Sequence, residues 1–181
     1  MGGLQKRADD ETASAQRWPS YLPIVIAVLS VLTGTALIVA TYPVFSQTFD
    51  EGEHVAAGME WLDVGSYSYD PLNPPLARVA VALGPYLAGS RLQGNSNVWD
   101  EGNAILENQG HYQRTLTLAR LGILPFFWLA CFVLWRFMSR NYGHWQAALA
   151  IVLFAFCPPI LANASLATVD MAVTTMLLCA L

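Results

Sequence analysis

Four groups of residues in this chain carry side chains able to do chemistry. The first is Phe49-Asp50-Glu51-Gly52-Glu53-His54, where Asp50 and Glu51 form an adjacent acidic pair and His54 is a candidate substrate contact. A carboxylate in a low-dielectric surrounding can take a proton from an incoming hydroxyl, because desolvation raises its pKa. The same residues also read as a helix start. Asp50 followed by Glu53 is capping-box-like, and acids favour helix N-termini, so the two roles are compatible. The second group is Asp70-Pro71-Leu72-Asn73-Pro74-Pro75-Leu76, a rigid turn in which Pro74 and Pro75 restrict the backbone. The third is Arg120, just inside an apolar stretch, with His111 and Arg114 upstream. Its guanidinium suits a phosphate; the alternative is a side chain that snorkels to the surface. The fourth is Ala164 to Met171, in which Asp170 stands at the mouth of the last apolar stretch, either as a functional acid or as a helix N-terminal one.

These residues need a scaffold, and composition names its class. Of 181 residues, 55% are hydrophobic and 12% charged, against about 25% charged in average soluble domains. Charges crowd into the first 17 residues and into 44–116. Such separation of apolar from polar blocks is a membrane signature. No basic run or zinc spacing points to nucleic acid. Cys131, Cys157 and Cys179 lie in or beside apolar stretches and read as small packing residues. The acids could bind a divalent metal, but no ligand spacing demands one.

The expected fold is therefore an all-α membrane protein. Residues 1–20 form a polar tail. Residues 21–43 are the first transmembrane helix, since the 22 residues Tyr21 to Tyr42 reach about 33 Å as a helix, enough for a hydrocarbon core of about 30 Å. Residues 44–115 form a large outer loop with two membrane-surface helices, at about 51–64 and 74–89. In the first, Val55, Ala56, Met59 and Leu62 share a side and Gly65 closes the helix. In the second, which Pro74-Pro75 opens, Leu76, Val79, Ala80, Leu83 and Leu87 are the apolar residues. Residues 116–137 and 144–162 are the second and third spans, joined by a loop at 138–143. After an outer loop at 163–168, residues 169–181 begin a fourth span too short to cross. Lys6, Arg7 and Arg17 in the tail, with Arg136 and Arg140 in the short loop, put those segments on the cytoplasmic side. The long loop and Asp170 then face outward, from a bacterial inner membrane.

In order and sidedness the motifs resemble the lipid-linked-sugar glycosyltransferases of the protein O-mannosyltransferase and aminoarabinose-transferase type, the family-39-like group with a GT-C fold. The resemblance rests on Asp50-Glu51 after the first span, Asn73-Pro74-Pro75-Leu76 as its proline turn, Ala119-Arg120-Leu121 opening the second span, and Pro159 through Asp170. It implies a polyprenyl-phosphate-linked sugar donor, transfer with inversion, and an acceptor protein, lipid or glycan. Asp50 would be the base and Glu51 its orienting neighbour, with Arg120 toward the lipid phosphate and Asp170 a second acid. Where the family's turn carries His, this chain carries Asn73, which keeps hydrogen-bonding capacity. The family's proteins are much longer, so the resemblance implies that this chain is the opening part of one. The competing class is a non-catalytic membrane protein whose outer loop binds a partner.

Overall fold

A computed structural model of the chain describes residues 19–107 and 110–180. The expectations for the charged tail before residue 19 fall outside the described residues. Among the described residues the elements are helices, in two groups. The first group is a bundle of apolar helices: α1 (Leu22–Thr41), α6 (Leu124–Asn141), α7 (His144–Ala155), α8 (Pro158–Ala164) and α9 (Asp170–Cys179). The second is a polar cap on one end of the bundle: α2 (Phe49–Val64), α3 (Pro75–Leu87), α4 (Val98–Glu107) and α5 (Tyr112–Leu121).

Two helical segments are long and apolar enough to cross a membrane: α1, and the run Tyr112–Asn141 made of α5 and α6. A third crossing exists if α7 and α8 count as one span broken by a 63° bend. The bend falls at Cys157-Pro158-Pro159, where proline removes N–H donors and clashes with the preceding turn. The second apolar helix starts earlier than 116 because polar residues such as Gln113 and Arg114 extend it outward.

In the bundle, α1 packs on α7, and α6 on α7 and α9. Gly34 of α1 meets the Ala155 carbonyl of α7, so small residues let these backbones approach, as in membrane helix pairs. Phe127 stacks on Phe154 across α6 and α7. The Trp128 indole N–H donates to Thr35 Oγ1 at 3.0 Å, and Thr175 Oγ1 donates to the Phe126 carbonyl at 2.9 Å. The outward positions Leu29, Leu32, Phe132, Leu149, Leu153 and Leu177 are exposed, the outer surface a lipid phase would cover.

In the cap, α2 lies between α3 and α4, and its residues 54–60 are buried throughout. This differs from a helix resting on a membrane face with one side wet. Helix α3 also turns differently from its hydrophobic pattern. Ala77, Arg78, Val81, Ala82 and Pro85 face inward, while Leu76, Leu83 and Leu87 are exposed. Close backbone contact selects the small residues: a Cβ on Gly58 of α2 would strike the Arg78 carbonyl, and one on Gly102 of α4 would strike Gly52. Leucine cannot occupy such a crossing, so the leucines turn out.

Candidate functional site

The site is built around the N-terminus of α2. Thr48 is the N-cap, and Glu51 at the third helical position accepts the Thr48 N–H at 2.8 Å. The capping pair is thus Thr48–Glu51, not Asp50–Glu53. The cap residue stands three positions before its acid, which leaves Asp50 at the second helical position with its side chain exposed.

Glu51 is fully buried and ion-paired with Arg120, itself 1% exposed. Arg120 Nε meets Glu51 Oε1 at 2.8 Å and Nη2 meets Oε2 at 2.9 Å, a bidentate pair across 69 positions of sequence. Glu51 Oε1 also accepts the Ala167 N–H at 2.8 Å. The rest of the guanidinium donates to carbonyls of the segment leaving α1: Tyr42 at 3.3 Å, Phe45 at 2.9 Å and Ser46 at 3.0 Å. Burial alone would raise the Glu51 pKa, but the hydrogen bonds from Arg120, Ala167 and Thr48 outweigh it and hold it below the ordinary value. Arg120 therefore neither snorkels nor keeps an N–H free for a phosphate. It ties α1, α2, α5 and the 165–169 loop together.

A second buried arginine, Arg78, was not among the residues singled out by sequence. It is fully buried in α3. Its Nε donates to His54 Nδ1 at 3.1 Å, Nη1 to Tyr67 Oη at 3.3 Å and the Asp70 carbonyl at 3.1 Å, and Nη2 to Glu53 Oε1 at 3.2 Å and to the Asp70 carboxylate. Asp70 is held further by Asn73 Nδ2 at 2.8 Å and by the Leu72 N–H at 3.0 Å. These bonds outweigh burial and keep the Asp70 carboxyl well below the usual range. Glu53 moves the other way: burial, the neighbouring Asp70 carboxylate and the charge of Asp50 raise it against the pull of Arg78. The sequence signal for Arg78 was present but faint. It is the one charge on the stripe Ala77, Val81, Ala82.

Asp50, His54 and Asp170 lie in one region of the cap, near enough for both acids' charges to act on the imidazole. His54 follows Asp50 by one helical turn on the same face of α2. Asp170 opens α9, also exposed, with Thr168 Oγ1 donating to its Oδ2 at 3.1 Å. The Ala167 contact to Glu51 brings this loop against α2. Burial and then the Arg78 charge hold the His54 pKa below the ordinary imidazole value, against the opposing charges of Asp50, Asp170 and Asp70. The proline turn lies at the edge: Asn73 and Pro74 border an apolar groove of about 290 Å³ that continues along Ala77 of α3 and Val169, Ala172 and Met176 of α9. Pro75 starts α3, where its missing N–H costs nothing.

Chemically, the arrangement offers two solvent-facing carboxylates and an imidazole in one region, next to an apolar groove. Among the described residues, no group of three or more His, Cys, Asp or Glu side chains converges as a metal-holding set. The three cysteines are free: Cys131 is buried, Cys157 half-buried and Cys179 exposed. No protein-family model, no curated protein and no solved structure matches this chain.

Proposed function

We propose that the chain is part of a membrane glycosyltransferase that moves a sugar from a polyprenyl-phosphate donor to an acceptor hydroxyl or phosphate, with inversion. One observation carries this reading. Asp50 and Asp170, 120 positions apart in sequence, both stand exposed in the region of His54, where their charges are felt, and Asp170 adjoins the apolar groove of α3 and α9 at Val169. A polyprenyl tail stays in an apolar phase, so its phosphate and sugar wait at the surface, where Asp50 stands. In this reading Asp50 takes the acceptor's proton as its oxygen attacks the anomeric carbon, and the bond to polyprenyl phosphate breaks. Asp170, His54 and Asn73 contact the ligand, and the Pro74-Pro75 turn shapes the groove's mouth. Glu51 and Arg120 hold the N-terminus of α2 in place. The topology that fits is an outward-facing cap over three crossings, α1, α5–α6 and α7–α8, with α9 opening a fourth, in a bacterial inner membrane.

The test is transfer from a labelled polyprenyl-phosphate sugar, in membranes carrying the gene's full-length product. Asp50→Asn is expected to abolish transfer at unchanged expression. Transfer at the wild-type rate by that variant would overturn the role of Asp50. One observation favours the non-catalytic alternative: Arg78 and Arg120, the cations buried nearest the acids, donate all their N–H groups to protein acceptors. No transfer from any lipid-linked sugar, together with capture of a protein partner lost on deleting the cap, would favour it.

A further inference from the structure

We propose that Arg78 locks His54 as its neutral Nε2–H tautomer, so that His54 is a fixed hydrogen-bond donor to a hydroxyl oxygen of a ligand bound at the exposed acids Asp50 and Asp170. The ligand half of this inference rests on the proposed transfer site. The tautomer half stands on geometry alone.

Arginine is never deprotonated in a protein, so its Nε always presents a proton. That proton points at His54 Nδ1 from 3.1 Å, and Nδ1 must answer with a lone pair. The imidazole's single proton is then on Nε2. Arg78 has no freedom to withdraw. Its other N–H groups are held by Tyr67, Asp70 and Glu53, and its backbone carbonyl is pressed against Gly58, one turn beyond His54. Protonating Nδ1 would set N–H against N–H beside a buried cation. Binding a metal through Nε2 would require moving the proton to Nδ1, with the same clash. His54 is therefore neither a general base nor a ready metal ligand.

Nε2 has no protein partner among the described residues, and His54 is only 7% exposed. The charged groups around the ring are Asp50 and Glu53 on its own helix, Arg78 on α3, Asp70 in the turn before it, and Asp170 on α9. A donor one helical turn from Asp50, with Asp170 in the same region, suits a hydroxyl, which accepts from Nε2–H while giving its own proton to one of the acids. Neighbouring hydroxyls on a sugar ring or a polyol match all three groups at once.

The experiment is two-bond ¹H–¹⁵N correlation NMR on the ¹⁵N-histidine-labelled chain in lipid nanodiscs. The His54 signals are identified by their loss in His54→Gln. A single neutral Nε2–H pattern, unchanged from about pH 5 to 8, is expected. An Nδ1–H pattern, a tautomer mixture or growth of imidazolium in that range would overturn the lock. Arg78→Lys removes the planar fork and is expected to release His54 into a titrating mixture; if that variant does not fold, the wild-type pattern decides alone. Adding farnesyl-phosphate mannose is expected to shift the Nε2–H signal in the wild type and not in Asp170→Asn; no wild-type shift overturns the ligand half. In the transfer assay His54→Gln keeps a donor at the ε position, whereas His54→Asn keeps only an acceptor for Arg78. The Asn variant is expected to fall at least about tenfold below the Gln variant, and equal rates would remove the donor role. A shift without any transfer would sink the proposed reaction and leave the lock intact. Transfer alongside a titrating His54 would do the reverse.

Discussion

The two buried arginines of this protein hold its two sides of α2 in different ways. Arg120 closes on one fully buried carboxylate and three backbone carbonyls, so its surroundings have a single geometry shut away from water. Arg78 closes on an imidazole and two carboxylates that are 17% and 14% exposed, so its surroundings can titrate and reach water. The contrast teaches that burial and a full set of hydrogen bonds do not by themselves tell a scaffold from a site. What the cation holds is the better guide. Backbone carbonyls fix position, whereas titratable side chains couple position to chemistry.

The contrast can be broken by mutation. Arg120→Ala strands Glu51 as an unpaired buried charge, and is expected to cost about 3–5 kcal/mol, read as a large fall in thermal stability in detergent. Arg78→Ala is expected to cost less, about 1–3 kcal/mol, because Glu53 and Asp70 can recruit water. Equal losses would erase the distinction. Gly58→Ala drives a Cβ into the Arg78 carbonyl and should cost about 1–3 kcal/mol through overpacking. It should also disturb His54, whereas changes around Arg120 should leave the His54 spectrum alone.

The pH dependence sharpens the same point with a smaller effect. The His54 pKa is depressed in the folded chain. Below about pH 6.5 the unfolded chain binds a proton that the folded chain refuses, so stability falls as the solution is acidified. The Glu51 pKa is also depressed. Its contribution is complete above the unfolded value of about 4.3 and is lost as pH falls through the folded one. Melting temperature against pH should therefore drop in two stages. His54→Gln should remove the upper stage and Glu51→Gln the lower. If Glu51→Gln removes the upper stage instead, the two regions are coupled and the contrast fails.

Much of the architecture was legible in the residues. Apolar length alone marked α1 and the run through α6, whereas the 63° bend at Pro158-Pro159 falls inside the segment 144–162 that reads as one span. Gly65 closes α2 with φ +72°, a conformation that costs glycine nothing. Helix α4 was missed because its apolar residues are few and interrupted by Asp100, Glu101 and Asn103. Its buried Glu101 accepts the Asn95 N–H at 2.7 Å, a contact no local pattern announces. The facing of α3 could not be read, because periodicity counts apolar residues and cannot tell a core from a lipid-facing surface. Asp50, Asp170 and Asn73 could be named as candidates from type and position. Arg78 could not, since its partners lie 24 and 25 positions back and 8 positions back in different elements.

The sequence by itself determined that this chain is helical, that long apolar helices alternate with a polar segment, and where acids stand near helix starts. Those properties depend on neighbours within a few turns, through hydrophobic period, chain length and capping. Only the tertiary structure decided which acid is buried and which is free. Glu51 and Asp50 are adjacent in sequence, but a 100° step around α2 turns one toward Arg120 and the other toward solvent. Only the tertiary structure brought the loop before Asp170 against α2 and set Arg78 behind the imidazole, because those contacts depend on how helices cross.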